Sequence, residues 1–479
     1  MNAPVDLAVA LPGDLDRLFA LHRAAFARDM YPAYVDRRDR LRRLLHIITA
    51  HEPALCAAVD HDFGHRSTHE TRLAELYIVG AEIRHTLRHL RHWMRSRRVP
   101  TPLKLLPGRS RVDRLPLGVV GVISPWNYPI QLALAPVVGA LAAGNRVLLK
   151  PSELTPETSA LLKRLVDAEF AAEEFAVVPG DTAVGEAFAR LPFDHLFFTG
   201  STAVGRKVAL AAAEHLTPVT LELGGKSPAL FDSDADFELA APRLLAGKLM
   251  NAGQTCIAPD YALVPAARVD AFVAAVTGAA GRLYPTFATN PDYTSIVNDR
   301  HYARLTRLRD EAQAGGARIV PLAAPGEPQG NDRKLVPALV IGATADMAIM
   351  REEIFGPLLP VETYATLDDA IAAINARPHP LAFYFFGNDR ARRERVLRET
   401  LAGGVTVNDT LWHFAHEGLP FGGVGASGIG AYHGDRSFLT FTHEKAVFLQ
   451  SRATVAQWLH PPYGKTFERM LALLKRLPG

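Results

Sequence analysis

His195-Leu-Phe-Phe-Thr-Gly-Ser-Thr-Ala-Val-Gly205 is a short apolar run, a glycine turn and the opening of a helix. The apolar part suits a buried strand, and the polar turn suits the start of a helix. A helix start offers free N–H groups and the positive end of the helix dipole, which suits a pyrophosphate. Gly200 allows backbone and phosphate to approach, Ser201 offers a hydroxyl, and Gly205 permits close helix–strand packing. An ordinary β–α turn has the same pattern, so both readings stand on this stretch alone. The chain has no G-x-G-x-x-G.

Outward from this stretch the alternation repeats. Leu117 to Ile123, Arg146 to Lys150, Phe175 to Val178 and Val219 to Leu221 read as short buried strands. Ile130 to Ala143 and Thr155 to Phe170 read as helices. Such alternation points to a parallel sheet in an α/β domain. A second α/β stretch runs from about Gly225 to Ala426, with strands at Ala338 to Ile341 and Leu359 to Tyr364 and a helix at Leu367 to Ala376. Upstream, Asp36 to Asp60 reads as one amphipathic helix and Glu70 to Trp93 as a second long one. Residues 1 to about 33 carry little motif content and are expected to be partly mobile. Near the end, Lys445 to Leu449 is strand-like. Thr466 to Leu477 is basic and amphipathic, and is expected to pack on the body or a partner subunit rather than on a membrane.

A chain of 479 residues is long enough for two or three domains with a large core. A net charge of +3 argues against a dedicated nucleic-acid binder. Arg84 to Val112 lacks acidic residues, and is expected to be a solvated helix face followed by an exposed strand. The only cysteines, Cys56 and Cys256, form no metal or redox motif and suit a reducing compartment. Met1-Asn-Ala-Pro-Val-Asp lacks the basic start of a signal peptide. No apolar run approaches the roughly 20 residues of a membrane span. The expectation is a cytoplasmic enzyme.

Cys56 sits among apolar neighbours on a helix and reads as a small buried hydrophobe. Cys256 lies instead in Asn251-Ala-Gly-Gln-Thr-Cys-Ile-Ala-Pro259, a polar, glycine-broken segment after a helical run from Leu239 to Met250. A thiolate in such a turn can attack a carbonyl carbon. That attack also needs a proton-transfer group and a donor for the oxyanion. Glu222 in Val219-Thr-Leu-Glu-Leu-Gly-Gly-Lys226 and Asn127 in Ser124-Pro-Trp-Asn-Tyr-Pro129 are candidates.

These pieces, with Lys150 to Ser152, Phe198 to Thr202, Glu353-Ile-Phe-Gly-Pro357 and Pro420-Phe-Gly-Gly423, resemble the aldehyde dehydrogenase superfamily in type and order. The likeness runs from about Tyr34 to Leu449. Cys256-Ile-Ala-Pro-Asp-Tyr261, Asn290-Pro-Asp-Tyr293 and Gly430-Ala-Tyr-His-Gly434 resemble its class 3 branch, and Asp62-Phe-Gly-His-Arg-Ser67 the bacterial coniferyl aldehyde dehydrogenases within it.

The resemblance implies an aldehyde dehydrogenase-like α/β fold. A Rossmann-type nicotinamide-binding domain would span 1–97 and 117–224, with an α/β catalytic domain over 225–426. A small oligomerisation sheet would use 98–116 and 440–452, leaving a tail at 453–479. It implies NAD, with NADP also accepted, and a homodimer. It implies that Cys256 is the nucleophile, Glu222 the base that activates water, and Asn127 the oxyanion donor. Cofactor contacts would come from Ser124, Trp126, Lys150, Ser152, Glu153, Gly200, Ser201, Gly205, Leu223, Glu353 and Phe355. A carboxylate at Glu153 would disfavour a 2′-phosphate. Lys226 is expected to make structural hydrogen bonds, and no metal is implied.

Trp126, Tyr128, Trp412, His413 and Phe414 are candidates for the substrate-pocket wall, which suits planar or long apolar aldehydes. Coniferyl aldehyde is the expected substrate, with medium or long aliphatic aldehydes as the competitor. The same cysteine would also serve a cofactor-independent hydrolase or an acyl-CoA-forming enzyme, and a binding protein on a catalytically dead fold competes with both.

Overall fold

The computed structural model describes residues 12–327 and 333–476. Met1 to Leu11, on which the signal-peptide expectation rests, and Leu477, at the end of the amphipathic run, lie outside the described residues. The N-terminal region holds α1 (Pro12–Arg28), α2 (Tyr34–Ala50), α3 (Glu52–Phe63), α4 (Thr68–Thr71) and α5 (Ile78–Trp93).

This region departs from expectation in three ways. Residues 12–28 form a helix, whose Leu15 and Phe19 are buried against the adjoining sheet. The single helix expected over Asp36 to Asp60 is two. Pro53 has no N–H to continue the ladder, and His51 leaves helical geometry at φ −115°, ψ 19°. The long helix expected from Glu70 is interrupted by a π-helical turn, Arg72–Tyr77. Such wide turns re-aim side chains and cluster at functional sites.

Strands β1 (Arg97–Val99) and β2 (Arg109–Pro116) come next. Then follow β3 (Val119–Ile123), β4 (Arg146–Lys150), β5 (Phe175–Val177), β6 (His195–Thr199) and β7 (Val219–Glu222). The helices between them are α6 (Gln131–Ala143), α7 (Pro156–Glu169), α8 (Thr182–Ala189) and α9 (Thr202–Ala213). Every residue of α6 is buried, as its nearly all-apolar sequence requires. The second half carries β8 (Pro228–Phe231), α10 (Phe237–Leu249), β9 (Tyr261–Pro265), β10 (Arg318–Pro321) and β11 (Ala338–Ile341). It continues with β12 (Leu358–Tyr364), β13 (Ala382–Phe386), β14 (Gly404–Val407), β15 (Gly428–Ile429) and β16 (Thr442–Leu449).

Three sheets result. The first has the order β15-β7-β6-β3-β4-β5, parallel except for β15. The chain leaves β3 toward β4 and β5, then returns to place β6 and β7 on the other side. That reversal opens a crevice at the carboxyl ends of the strands, where such sheets bind ligands. The second sheet has the order β10-β11-β12-β9-β8-β13-β14, parallel except for β10. The third is the antiparallel ribbon β1-β2-β16.

Candidate active site

The site lies where the carboxyl ends of the first sheet meet the amino ends of the second. Ser124, Trp126 and Asn127 follow β3; Lys150 ends β4, with Ser152 and Glu153 just beyond. Gly200 and Ser201 follow β6, and Gly205 lies in α9 facing Leu223. Glu222 ends β7. From the other side, the Cys256 segment precedes β9, and Glu353 and Phe355 precede β12. One crevice therefore gathers residues from distant parts of the chain.

The first-sheet side fits a dinucleotide. Ser201 caps α9, its hydroxyl oxygen accepting from Val204 N–H, so its own hydroxyl hydrogen is left to donate. Among the described residues Ser124 Oγ and Thr199 Oγ1, the latter also on the wall of the cavity that holds Cys256, are buried without a hydrogen-bond partner. Buried hydroxyls are normally paired, so these two mark a place for a polar ligand. Lys150 is buried and pairs with exposed Glu153 at 3.1 Å. Gly224 lets Glu353 close over the turn: a Cβ there would lie 2.3 Å from the carboxylate. Burial, then Asp260, pushes Glu353 up to about 8, against the Gly225 N–H and the nearby cations Lys226 and Arg304.

The Cys256 segment is held from beneath. Asn251 and Ala252 sit in the left-handed region, at φ 53° and 52°. Non-glycine residues there are strained and persist only where surroundings fix them. Glu70 accepts from Asn251 N–H at 3.1 Å and from the Thr294 hydroxyl at 2.7 Å. The Asn251 side-chain amide donates to the Asn127 carbonyl at 2.9 Å and to the Gln254 carbonyl at 3.1 Å. The Asn127 amide itself donates to the Gln254 carbonyl at 3.1 Å, leaving its second N–H for a ligand. Arg66, fully buried, donates to the Asn127 carbonyl at 2.8 Å and pairs with Glu75 at 3.3 Å. Glu75 in turn accepts from Ile130 and Gln131 N–H at 2.7 and 3.1 Å.

Cys256 and Glu222 both line an apolar cavity of about 460 Å³. Glu222 is buried, and among the described residues neither carboxylate oxygen has a partner. Burial alone raises its pKa well above the ordinary range. Burial, then the Glu353 and Glu222 carboxylates, pushes the Cys256 thiol up to about 12. The N–H groups of Cys256 and Ile257, aimed at the sulfur, work the other way. At the open end lie exposed Leu73, Tyr77 and Trp412.

Tyr128, Trp412 and Phe414 line this cavity, whereas Trp126 and His413 do not. Trp126 packs on Phe63, His301 and Phe355 beside the nucleotide crevice. His413 is buried behind the wall, bonded to the Thr406 hydroxyl at 2.8 Å. Lys226 donates to Asp260 and to the Ile349 and Glu352 carbonyls, a structural role.

Sequence reasoning missed Arg66, Glu70 and Glu75 beneath the cysteine segment, and Arg243 and Asp409 on the cavity wall. No local pattern singles them out, because their partners at the site lie 55 to 224 positions away along the chain. Among the described residues there is no cluster able to hold a metal, and no helix long and apolar enough to cross a membrane.

The family model for the aldehyde dehydrogenase family matches residues 10–447. The coniferyl aldehyde dehydrogenase of Pseudomonas sp. (strain HR199) is 45% identical over 478 residues, covering 99% of this chain and 98% of that protein. The structure of Staphylococcus aureus AldH in a substrate-bound state superposes with a TM-score of 0.90 at 40% identity, covering 96% of this chain and 99% of that one. Betaine aldehyde dehydrogenase of Staphylococcus aureus, in complex with NAD+, superposes with a TM-score of 0.82 at 27% identity, covering 94% and 90%.

Proposed function

Since the chain belongs to the aldehyde dehydrogenase family, we propose that it oxidises an aromatic aldehyde of the coniferyl type to its acid with NAD, or with NADP in its place. Aldehyde, oxidised dinucleotide and water become acid, reduced dinucleotide and a proton. The observation that carries the reading is the convergence of Cys256 and Glu222 on one apolar cavity beside a crevice with unpaired buried hydroxyls.

Glu222 takes the thiol proton of Cys256 and passes it to water, Sγ bonds to the aldehyde carbon, and the new oxyanion accepts from the free Asn127 side-chain N–H and the Cys256 backbone N–H. A nicotinamide held beside Glu353 and Phe355 would supply the acceptor for the hydride of that carbon. The product on Cys256 is a thioester. Glu222 takes a proton from water as its oxygen attacks the thioester carbon, and the thiol leaves with the acid released. Its raised pKa makes it a stronger base than an exposed carboxylate, once ionised. In the crevice, Lys150 and Ser152 with Glu153 hold the adenosine ribose. The α9 start with Gly200, Ser201 and Gly205 faces the pyrophosphate, Ser124, Trp126 and Leu223 border it, and Glu353 with Phe355 positions the nicotinamide riboside.

The reading includes a cytoplasmic homodimer. Its support is two free cysteines and the open edge of β16, where Phe448 and Leu449 are exposed.

The test is reduction of NAD and NADP by the purified protein with coniferyl aldehyde, benzaldehyde, hexanal and decanal. Preference for coniferyl aldehyde is expected. Preference for decanal moves the substrate class to aliphatic aldehydes, and reduction of neither cofactor removes the redox reading. Glu222→Gln is expected to slow turnover roughly a hundredfold or more and to accumulate an acyl adduct on Cys256 in the intact mass. Unimpaired acid release would remove Glu222 from its role.

A further inference from the structure

Building on the aromatic-aldehyde reading above, we propose that Asp409 and Arg243 form a polar rim that reads oxygen substituents on the ring of a phenolic aldehyde and so set substrate preference. Besides Glu222, they are the only carboxylate and cation lining the cavity among the described residues. Both are solvent-accessible, whereas Glu222 is buried.

Helix α10 sets the spacing. Arg243 and Gly247 line the cavity one turn apart on one face of α10, and Met250, the C-cap residue of the helix, lines it as well. Met250 leads directly into the Cys256 segment. From Arg243 the helix runs ~9 Å to its last residue, Leu249.

The rim has free hydrogen-bonding capacity. Arg243 Nη1 donates to the Asn408 carbonyl at 2.7 Å, while Nε approaches Asp409 Oδ2 only to 3.9 Å. Asp409 Oδ1 accepts from Thr410 N–H at 2.8 Å, leaving Oδ2 with that loose ion pair alone. A phenol hydroxyl can donate to Oδ2 while an adjacent ring oxygen accepts from the guanidinium. A plain hydrocarbon tail satisfies neither.

The rim is also fixed in place. Asn408 and Leu411, flanking Asp409 and Thr410, are left-handed at φ 56° and 65°. The Asn408 side chain clamps Gly387, accepting from its N–H at 2.9 Å and donating to its carbonyl at 3.1 Å. Thr410 Oγ1 donates to the Arg243 carbonyl at 2.9 Å, and a Cβ on Gly247 would lie 2.3 Å from that oxygen. Helix and loop are thus in direct contact. Strain of this kind persists only where several contacts over-determine it.

The experiment compares kcat/KM for coniferyl aldehyde, cinnamaldehyde and decanal in the wild type, Asp409→Ala, Asp409→Asn and Arg243→Met. Wild type is expected to favour coniferyl aldehyde over cinnamaldehyde. Asp409→Ala should cut that ratio by about tenfold or more, through KM rather than kcat. Asp409→Asn, which keeps an acceptor, should restore part of it. A wild-type preference that survives in both Asp409→Ala and Arg243→Met overturns the rim while leaving the aromatic reading intact. An equal fall for all three aldehydes with a lowered melting temperature assigns a packing role and also overturns it. A wild type that favours decanal overturns the aromatic reading and the rim together.

Discussion

Cys56 and Cys256 have similar electrostatics and opposite surroundings. Burial lifts both thiols, Cys56 to about 11 with Glu52 and Glu75 adding, Cys256 to about 12 with Glu353 and Glu222 adding. Cys56 sits buried on α3 inside the apolar core. Cys256 sits on a strained segment at a cavity wall, with backbone N–H groups aimed at its sulfur. Thiol acidity in the empty protein therefore does not choose between them. Access, a facing carboxylate and an oxyanion donor do, and these come from the fold around the sulfur.

The sharpest way to break this comparison is to remove each sulfur in turn. Cys256→Ala is expected to lower aldehyde oxidation by roughly four orders of magnitude or more while the protein still binds NAD. Cys56→Ala is expected to cost about 1 kcal/mol of stability, read as a small drop in melting temperature, with turnover kept. Comparable turnover in the two variants would reverse the assignment.

A second test strikes the network between the two cysteines. Arg66 bonds the Asn127 carbonyl and neutralises buried Glu75, which also borders Cys56. Arg66→Ala leaves that carboxylate buried and unpaired, at an expected cost of about 3–5 kcal/mol. Activity should fall as well, because Asn127 loses its support. Melting and turnover like the wild type would show that the Cys256 segment does not depend on this network.

The smallest effect separates access from acidity. Below its pKa a thiol gains tenfold in thiolate for each pH unit, so alkylation of Cys256 should quicken roughly a hundredfold between pH 7 and 9. Native protein should carry the label on Cys256 before Cys56, although burial raises both thiols. Peptide mapping that finds Cys56 labelled first would place acidity above access.

Much of this was legible in the sequence. The strands at 146–150, 195–199 and 338–341 follow from short apolar runs bounded by turn residues, because backbone pairing and side-chain burial act locally. The order of motifs identified the family, whose match covers residues 10–447. The break at His51 had a local signal in Pro53, though the apolar pattern running across it concealed the stop. The π turn had none: an extra residue in a helical turn is set by what the side chains meet, and Glu75 meets Arg66.

The sequence by itself determined the α/β alternation, the family and the chemical types at hand: a thiol, a carboxylate and an amide on turns. Those are properties of residues and their near neighbours. Only the tertiary structure decided that Glu222 has no partner, that Glu70 and Arg66 brace the Cys256 segment, and that Asp409 meets Arg243 at the cavity rim. Desolvation and hydrogen-bond satisfaction depend on what packs around a group, and here that packing comes from segments far apart along the chain.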